Sequence, residues 1–127
     1  MHYTPDMNDG RTIFVFGSNL EGFHGAGAAR EAFLFWGAER GIGEGRQGHA
    51  YGIPTKDGYF RTLRLPVIKG YVGRFKAYAR SQRHLHFLVT EIGCGLAGYE
   101  CAQIAPFFAG CPANCTLPDR FIQCLNA

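Results

Sequence analysis

One run constrains the fold of this chain more than any other. It reads His86-Phe87-Leu88-Val89-Thr90-Glu91-Ile92-Gly93-Cys94-Gly95-Leu96-Ala97-Gly98-Tyr99, an apolar and β-branched stretch that passes directly into Gly-x-Gly-x-x-Gly. A second apolar stretch, Cys101 to Phe108, follows with helical character. Strand, glycine turn and helix in succession are the setting in which a loop cradles phosphate. Glycine lets the backbone approach an anion closely and tolerates positive φ. Free N–H groups and a helix N-terminus supply positive potential. Gly22-Phe23-His24-Gly25-Ala26-Gly27-Ala28-Ala29 repeats the arrangement near the start of the chain, again after a strand and before a helix. Two such loops in one short chain predict a single site that grips a nucleotide or a diphosphate.

The remaining segments read as alternating strands and helices. Thr12 to Phe16 is a buried strand by its continuous apolar character, ended by Gly17-Ser18-Asn19. Ala26 to Trp36 is a short Ala-rich helix stopped by Gly37. Gly37 to Gly48 reads as a mobile connection. It holds a further Gly-x-Gly-x-x-Gly, Gly43 to Gly48, but precedes the strand Ala50 to Pro54 rather than a helix. Lys56 to Arg64 is a polar turn. Ile68, Val72, Phe75 and Ala79 then recur on one face of a helix from Leu65 to Arg80, with Pro66 at its start. Lys69, Arg74, Lys76 and Arg80 cover the rest of that helix, either as a solvated face or as a nucleic-acid surface. Phe87 to Glu91 is a third strand, Ala102 to Phe108 a third helix, and Asn114 to Leu117 a fourth strand. This β-α-β-α-β-α-β order predicts one domain, residues 1–127 after a loose lead-in at 1–10. Its class is α/β, a three-layer α/β/α sandwich around a mostly parallel or mixed sheet. Ligands in such sheets sit beyond the carboxyl ends of the strands, where both glycine loops fall.

Composition narrows the function classes. A chain of 127 residues can bury a sufficient core without staples. Its 13 Lys and Arg against 10 Asp and Glu give a net charge of +3, which favours an anionic ligand and is too small to argue for nucleic acid by itself. The five cysteines, Cys94, Cys101, Cys111, Cys115 and Cys124, are odd in number and lack a regular framework, which argues against a secreted disulfide scaffold. Cys111 and Cys115 have no second pair of matching spacing, so no metal is expected. The polar opening residues carry no leader pattern, and no apolar run reaches the ~20 residues of a membrane span. The expected setting is the cytoplasm, without a membrane partner and without a cofactor.

These residues carry a resemblance. The chain resembles a small macrodomain and, more narrowly, the terminal ADP-ribose glycohydrolase class, which removes ADP-ribose from glutamate side chains or DNA bases. His24-Gly25-Ala26-Gly27-Ala28-Ala29 resembles that class's Met-Gly-Ala-Gly-Ile-Ala loop near the distal ribose. Tyr51-Gly52-Ile53-Pro54-Thr55-Lys56 resembles the strand ending in Ile-Thr-Lys. Ile92-Gly93-Cys94-Gly95-Leu96 resembles the Ile-Gly-Cys-Gly-Leu loop that wraps the diphosphate. The match spans about residues 12 to 118, in order. It implies an ADP-ribose-binding macrodomain-like fold and an ADP-ribosyl hydrolase in which Lys56 attacks the anomeric carbon. It also implies ADP-ribosylated protein or DNA as partner. The class places an aspartate directly after Gly-Cys-Gly-Leu, where this chain has Ala97. Asp57, Glu91 or Glu44 then remain as replacement acids, with His24 or His49 able to carry protons near neutral pH. A non-catalytic module that binds or sequesters ADP-ribose or a related NAD-derived nucleotide is the alternative.

The ligand-binding residues expected on this reading are Asn19, His24, Gly25, Ala26, Gly27, Gly93, Cys94, Gly95, Leu96, Ala97, Gly98 and Tyr99. Several have a second reading. Asn19 either holds a ribose hydroxyl or turns the chain. His24 either touches ribose or orders its loop. Tyr99 either closes over the ligand or packs in the core. A dinucleotide-binding fold, with Asp119 as the ribose acid, is a rival for the same motif, but leaves the first glycine loop and Lys56 unexplained.

Overall fold

The computed structural model describes residues 10–127, so most of the expected lead-in lies outside the described residues. Among the described residues there are five strands and four α-helices. They are β1 (Thr12–Asn19), α1 (Gly27–Phe35), β2 (Gly45–Gln47), β3 (Ala50–Lys56), α2 (Leu65–Ser81), β4 (His86–Val89), α3 (Cys101–Ile104), β5 (Cys115–Thr116) and α4 (Asp119–Leu125). A 3₁₀ segment, Ala105–Phe108, follows α3 directly. The sheet order is β2-β3-β1-β4-β5, antiparallel between β2 and β3 and parallel elsewhere. It is therefore a mixed sheet in an α/β fold.

Placing β1 at the centre explains its composition. A strand covered on both faces reads as a continuous apolar run. Ile13 and Val15 enter the larger core, with Ile53, Phe75, Phe87 and Phe108. Phe14 and Phe16 enter a smaller one, with Ala29, Ala32 and Trp36 of the α1 region. The α1 layer thus covers one face, and α2, the 3₁₀ segment and α4 cover the other. The hand of the connections requires this. The chain leaves β1 in one direction through α1 to β3, then returns across β1 through α2 to β4. Right-handed crossovers in opposite directions put their helices on opposite faces. The point where the direction reverses is the carboxyl end of β1.

Helix α2 buries Ile68, Val72, Phe75 and Ala79 completely, the face that the sequence predicts. Truncating Phe75, which touches Tyr51, Phe87 and Phe108, to alanine would cost about 3–5 kcal/mol. Its basic residues are largely committed within the fold. Lys76 Nζ donates to the carbonyls of Phe107 (3.1 Å) and Ala109 (2.6 Å), and Arg80 to Gly110 (3.1 Å). They satisfy the open carbonyls at the end of the 3₁₀ segment. Arg74 pairs with Glu44 at 3.1 Å.

Three sequence expectations change. Gly37 to Gly48 is not a loose connection, because it contains the edge strand β2 and is clamped to the sheet. Gly43 lies so close to the carbonyls of Asn19 and Leu20 that no Cβ fits, and its own carbonyl accepts a hydrogen bond from Ser18 Oγ. The third helix shortens to one turn of α-helix before the 3₁₀ segment, where Pro106 brings no N–H. A fourth helix, α4, follows β5 and buries Phe121 against Phe108. Among the described residues no helix is long and apolar enough to cross a membrane, and no cluster of His, Cys, Asp and Glu suits a metal ion.

Candidate functional site

A cavity of about 560 Å³ opens at the carboxyl ends of β1, β3 and β4, within the range of small-molecule sites. Both glycine loops line it. From the first come Phe23, Gly25, Ala26 and Gly27; from the second, Gly93, Cys94, Gly95, Leu96 and Ala97. The loops meet across the opening, where a Cβ on Gly27 would lie 3.6 Å from Leu96 Cδ1. The floor is the end of the sheet, with Ser18 and Asn19 of β1, Thr55 and Lys56 of β3, and Thr90 just beyond β4.

A bulge positions Lys56. Ser18 pairs with Pro54 and Asn19 with Lys56, so Thr55 is the extra residue on β3. Bulges re-aim side chains and recur beside functional sites. Strand β2 covers β3 only as far as Gly52, which leaves Pro54 beyond the antiparallel partner. Lys56 is half-buried in the cavity wall and forms no ion pair among the described residues.

The electrostatics at this end of the sheet favour an anion. Helix α1 opens onto the cavity through Ala26, Gly27, Ala28 and Ala29, without a side-chain cap and without an acidic residue in its first turn. Its first N–H groups are therefore open to a ligand. In the second loop, the Cys94 N–H bonds Glu91, the Gly98 N–H bonds Gly95, and the Tyr99 N–H bonds Gly93. These bonds leave the N–H groups of Gly95, Leu96 and Ala97 without an intramolecular partner among the described residues. Gly93 holds φ at +78°, and a Cβ there would press on Ile104 at 3.0 Å, so this turn requires glycine. Helix α3 contributes no open N-terminus. Glu100 and Gln103 close it as a capping box. The expectation of a helix dipole behind the second loop is thus corrected, and α1 supplies that potential from across the cavity.

Three of the expected ligand residues stand elsewhere. His24 is buried behind the first loop. Its Nε2 lies 2.9 Å from the Glu39 carbonyl and 3.1 Å from Gln47 Oε1. Both are acceptors, so this nitrogen carries the hydrogen. The ring packs edge-on against Phe16, and His24 orders its loop. Tyr99 donates its hydroxyl to the Leu63 carbonyl at 2.7 Å and packs against the larger core. Gly98 completes the turn with φ at +86° outside the cavity lining. Asn19 lines the cavity, but its amide closes the turn to Phe23. Nδ2 donates to the Phe23 carbonyl (2.8 Å), and Oδ1 accepts the Phe23 N–H (3.0 Å).

The aromatic mouth is absent from the sequence reading. Phe23 and Phe60 stand 5.9 Å apart at the opening, 53% and 57% exposed. Phe60 sits at φ +63°, a conformation that costs a bulky residue energy. The Asp57 carboxylate sustains it by accepting the N–H groups of Tyr59 (2.8 Å) and Arg61 (3.0 Å) and the Arg61 guanidinium (2.9 Å). The Arg61 N–H, chiefly, holds the Asp57 carboxyl below its ordinary value. The signal in the sequence was an aromatic pair, Tyr59-Phe60, inside a polar turn. That turn is stitched to the second glycine loop by Thr62 Oγ1, which donates to the Ala97 carbonyl at 3.0 Å.

In comparisons with known proteins, no family model matches the chain, and no curated protein or solved structure matches it either.

Proposed function

We propose that this cavity binds ADP-ribose or a closely related NAD-derived nucleotide, and that Lys56 cleaves an ADP-ribosyl linkage there. One observation carries the reading. The uncapped N-terminus of α1 faces the open amides of Gly95 to Ala97 across a cavity that also holds Lys56. Two or three hydrogen bonds to a charged phosphate, at ~1.5–3 kcal/mol each, support micromolar affinity after the cost of association. The macrodomain resemblance of the same loops agrees with this ligand. A lysine amine is the nucleophile that the reading requires at the sugar carbon. Lys56 lies half-buried in the cavity wall and forms no ion pair among the described residues.

One observation favours a second reading, a binding module without turnover. Position 97, where the glycohydrolase class carries its aspartate, offers only an alanine whose carbonyl is engaged by Thr62. The test is release of ADP-ribose from a peptide esterified on glutamate and from ADP-ribosylated DNA, by wild type and Lys56→Ala. The hydrolase reading expects wild-type turnover and a loss of at least about 100-fold on Lys56→Ala. Binding without turnover would leave the module.

A further inference from the structure

Cys111 and Cys115 form a pair away from the cavity. Both are half-buried against the larger core, and neither lines the cavity. Cys115 pairs with Phe87 near the start of β4, so the pair stands toward the amino end of the sheet, opposite the glycine loops. The segment that holds it is pinned on both sides. Before Cys111, the carbonyls of Phe107, Ala109 and Gly110 accept hydrogen bonds from Lys76 and Arg80 of α2. Before Cys115, Asn114 Nδ2 donates to the carbonyls of Ala79 (3.0 Å), Gln82 (3.1 Å) and Leu85 (3.1 Å). A turn joins the two, closed by the Cys115 N–H on the Pro112 carbonyl at 3.0 Å. It brings the two thiols into hydrogen-bond contact with each other.

The contact is polarised. The Cys111 thiol is held below its ordinary value, first by the hydrogen bond from Cys115, then by the charges of Lys76 and Arg80. The same hydrogen bond, followed by burial, pushes the Cys115 thiol up. One sulfur therefore has thiolate character while its neighbour keeps the proton. A thiolate beside cations, with a second thiol against it, is the arrangement of a nucleophilic and a resolving cysteine. Cys94 and Cys101 also touch, but burial first, and then Cys101, push Cys94 up to about 12. That pair has no comparable nucleophile.

We propose that Cys111 and Cys115 are a redox-active dithiol, which a hydroperoxide converts to a disulfide at a site independent of the nucleotide cavity. In the first step the Cys111 sulfur, its proton lost to solvent, bonds to one peroxide oxygen. The O–O bond breaks, and the other oxygen leaves with the electron pair and takes a proton from solvent. Cys111 is now a sulfenic acid. The negative charge that held the proton on Cys115 is gone, so the Cys115 sulfur is freed to attack Cys111. The S–S bond forms, the S–O bond breaks, and the hydroxyl leaves with the Cys115 proton as water. Two thiols and one hydroperoxide become a disulfide, water and an alcohol, or a second water when the oxidant is hydrogen peroxide.

The experiment treats the fully reduced protein with hydrogen peroxide, blocks the remaining thiols, and locates the products by peptide mass mapping. Wild type should lose two hydrogens and carry one internal bond, Cys111–Cys115, that dithiothreitol reverses. Cys115→Ser should stop at a sulfenic acid on Cys111 that dimedone traps. Cys111→Ser should give at least about tenfold less of either product. A second measurement needs no variant. With no oxidant and at neutral pH, iodoacetamide should label Cys111 of the folded wild type at least about tenfold faster than Cys124, and the difference should vanish in urea. Labelling of the two within about twofold of each other in the folded protein would overturn the proposal. So would peroxide that leaves both thiols reduced, or a disulfide between other cysteines in their place. A wild type that accumulates the dimedone adduct on Cys111 without forming the disulfide would also overturn it, since Cys115 would then resolve nothing.

Discussion

The chain contains Gly-x-Gly-x-x-Gly at Gly43–Gly48 and again at Gly93–Gly98, and the two runs behave in opposite ways. The first is pressed onto the backbone of β1, gives up its Gly43 carbonyl to Ser18, and forms the edge strand β2. Gly43 and Gly48 leave no room for a Cβ against neighbouring backbone, and Gly45 stands in open space at φ +97°. The second stands beyond the end of β4, lines the cavity, and leaves the N–H groups of Gly95, Leu96 and Ala97 without an intramolecular partner among the described residues. Glycine spacing alone therefore does not make an anion site. What separates the runs is where the topology delivers them, and whether their amides already have partners.

This contrast can be broken by substitution. Gly43→Ala should destabilise the fold by about 3 kcal/mol, because a Cβ would meet the Asn19 and Leu20 backbone rather than a yielding side chain. Urea unfolding measures this, and a loss under ~0.5 kcal/mol would mean that the clamp is loose. Gly95→Val should do the reverse. Position 95 has ordinary φ and open space around its Cβ, so stability should stay within ~0.5 kcal/mol. ADP-ribose affinity should fall roughly 100-fold as two amide bonds to phosphate are blocked. Unchanged affinity in calorimetry would remove the second loop from the site.

The smallest expected effect concerns the rim of the open loop. The Asp57 carboxyl is held below its ordinary value, first by the Arg61 N–H. A lowered carboxylate contributes its stability above the unfolded value, roughly 3.9, and loses it as pH falls through the lower folded value. Acidification below about pH 4 should thus lower the hydrogen-exchange protection, relative to the intrinsic rate at each pH, of the Tyr59 and Arg61 amides before it affects Gly45 to Gln47. Asp57→Asn should remove that pH dependence. Equal exchange in the two regions at every pH would show that the rim does not depend on this carboxylate.

How far the sequence revealed these regions depends on the range of the forces involved. The buried face of α2 and the strand runs of β1 and β4 follow from local periodicity, and the alternation of elements fixes the layers. Strand β2 did not show because Gly45-Arg46-Gln47 has no apolar alternation. Pairing with β3 and the Gln47 side chain, which binds Glu39, Ile42 and Gly45, impose its form. Helix α4 is seven residues long and buries only Phe121 fully, too little for a periodic signal. At the cavity, the place of both glycine loops beyond strand ends was legible from order and spacing, whereas Lys56 was singled out by the resemblance and not by its local sequence. The roles of Asn19 and His24 were not, since each is decided by its hydrogen-bond partners, and for His24 these lie 15 and 23 residues away. Phe60 was hidden because a left-handed φ, stabilised by Asp57, presents it at the mouth.

The most direct test of the account is a calorimetric titration of the wild-type protein with ADP-ribose, with AMP as the control and Gly95→Val beside it. Micromolar binding of ADP-ribose, much weaker binding of AMP, and loss of affinity in Gly95→Val are the predicted results. A folded wild type that takes up no ADP-ribose, or binds it equally well with valine at position 95, would contradict the claim that the second glycine loop is a phosphate site.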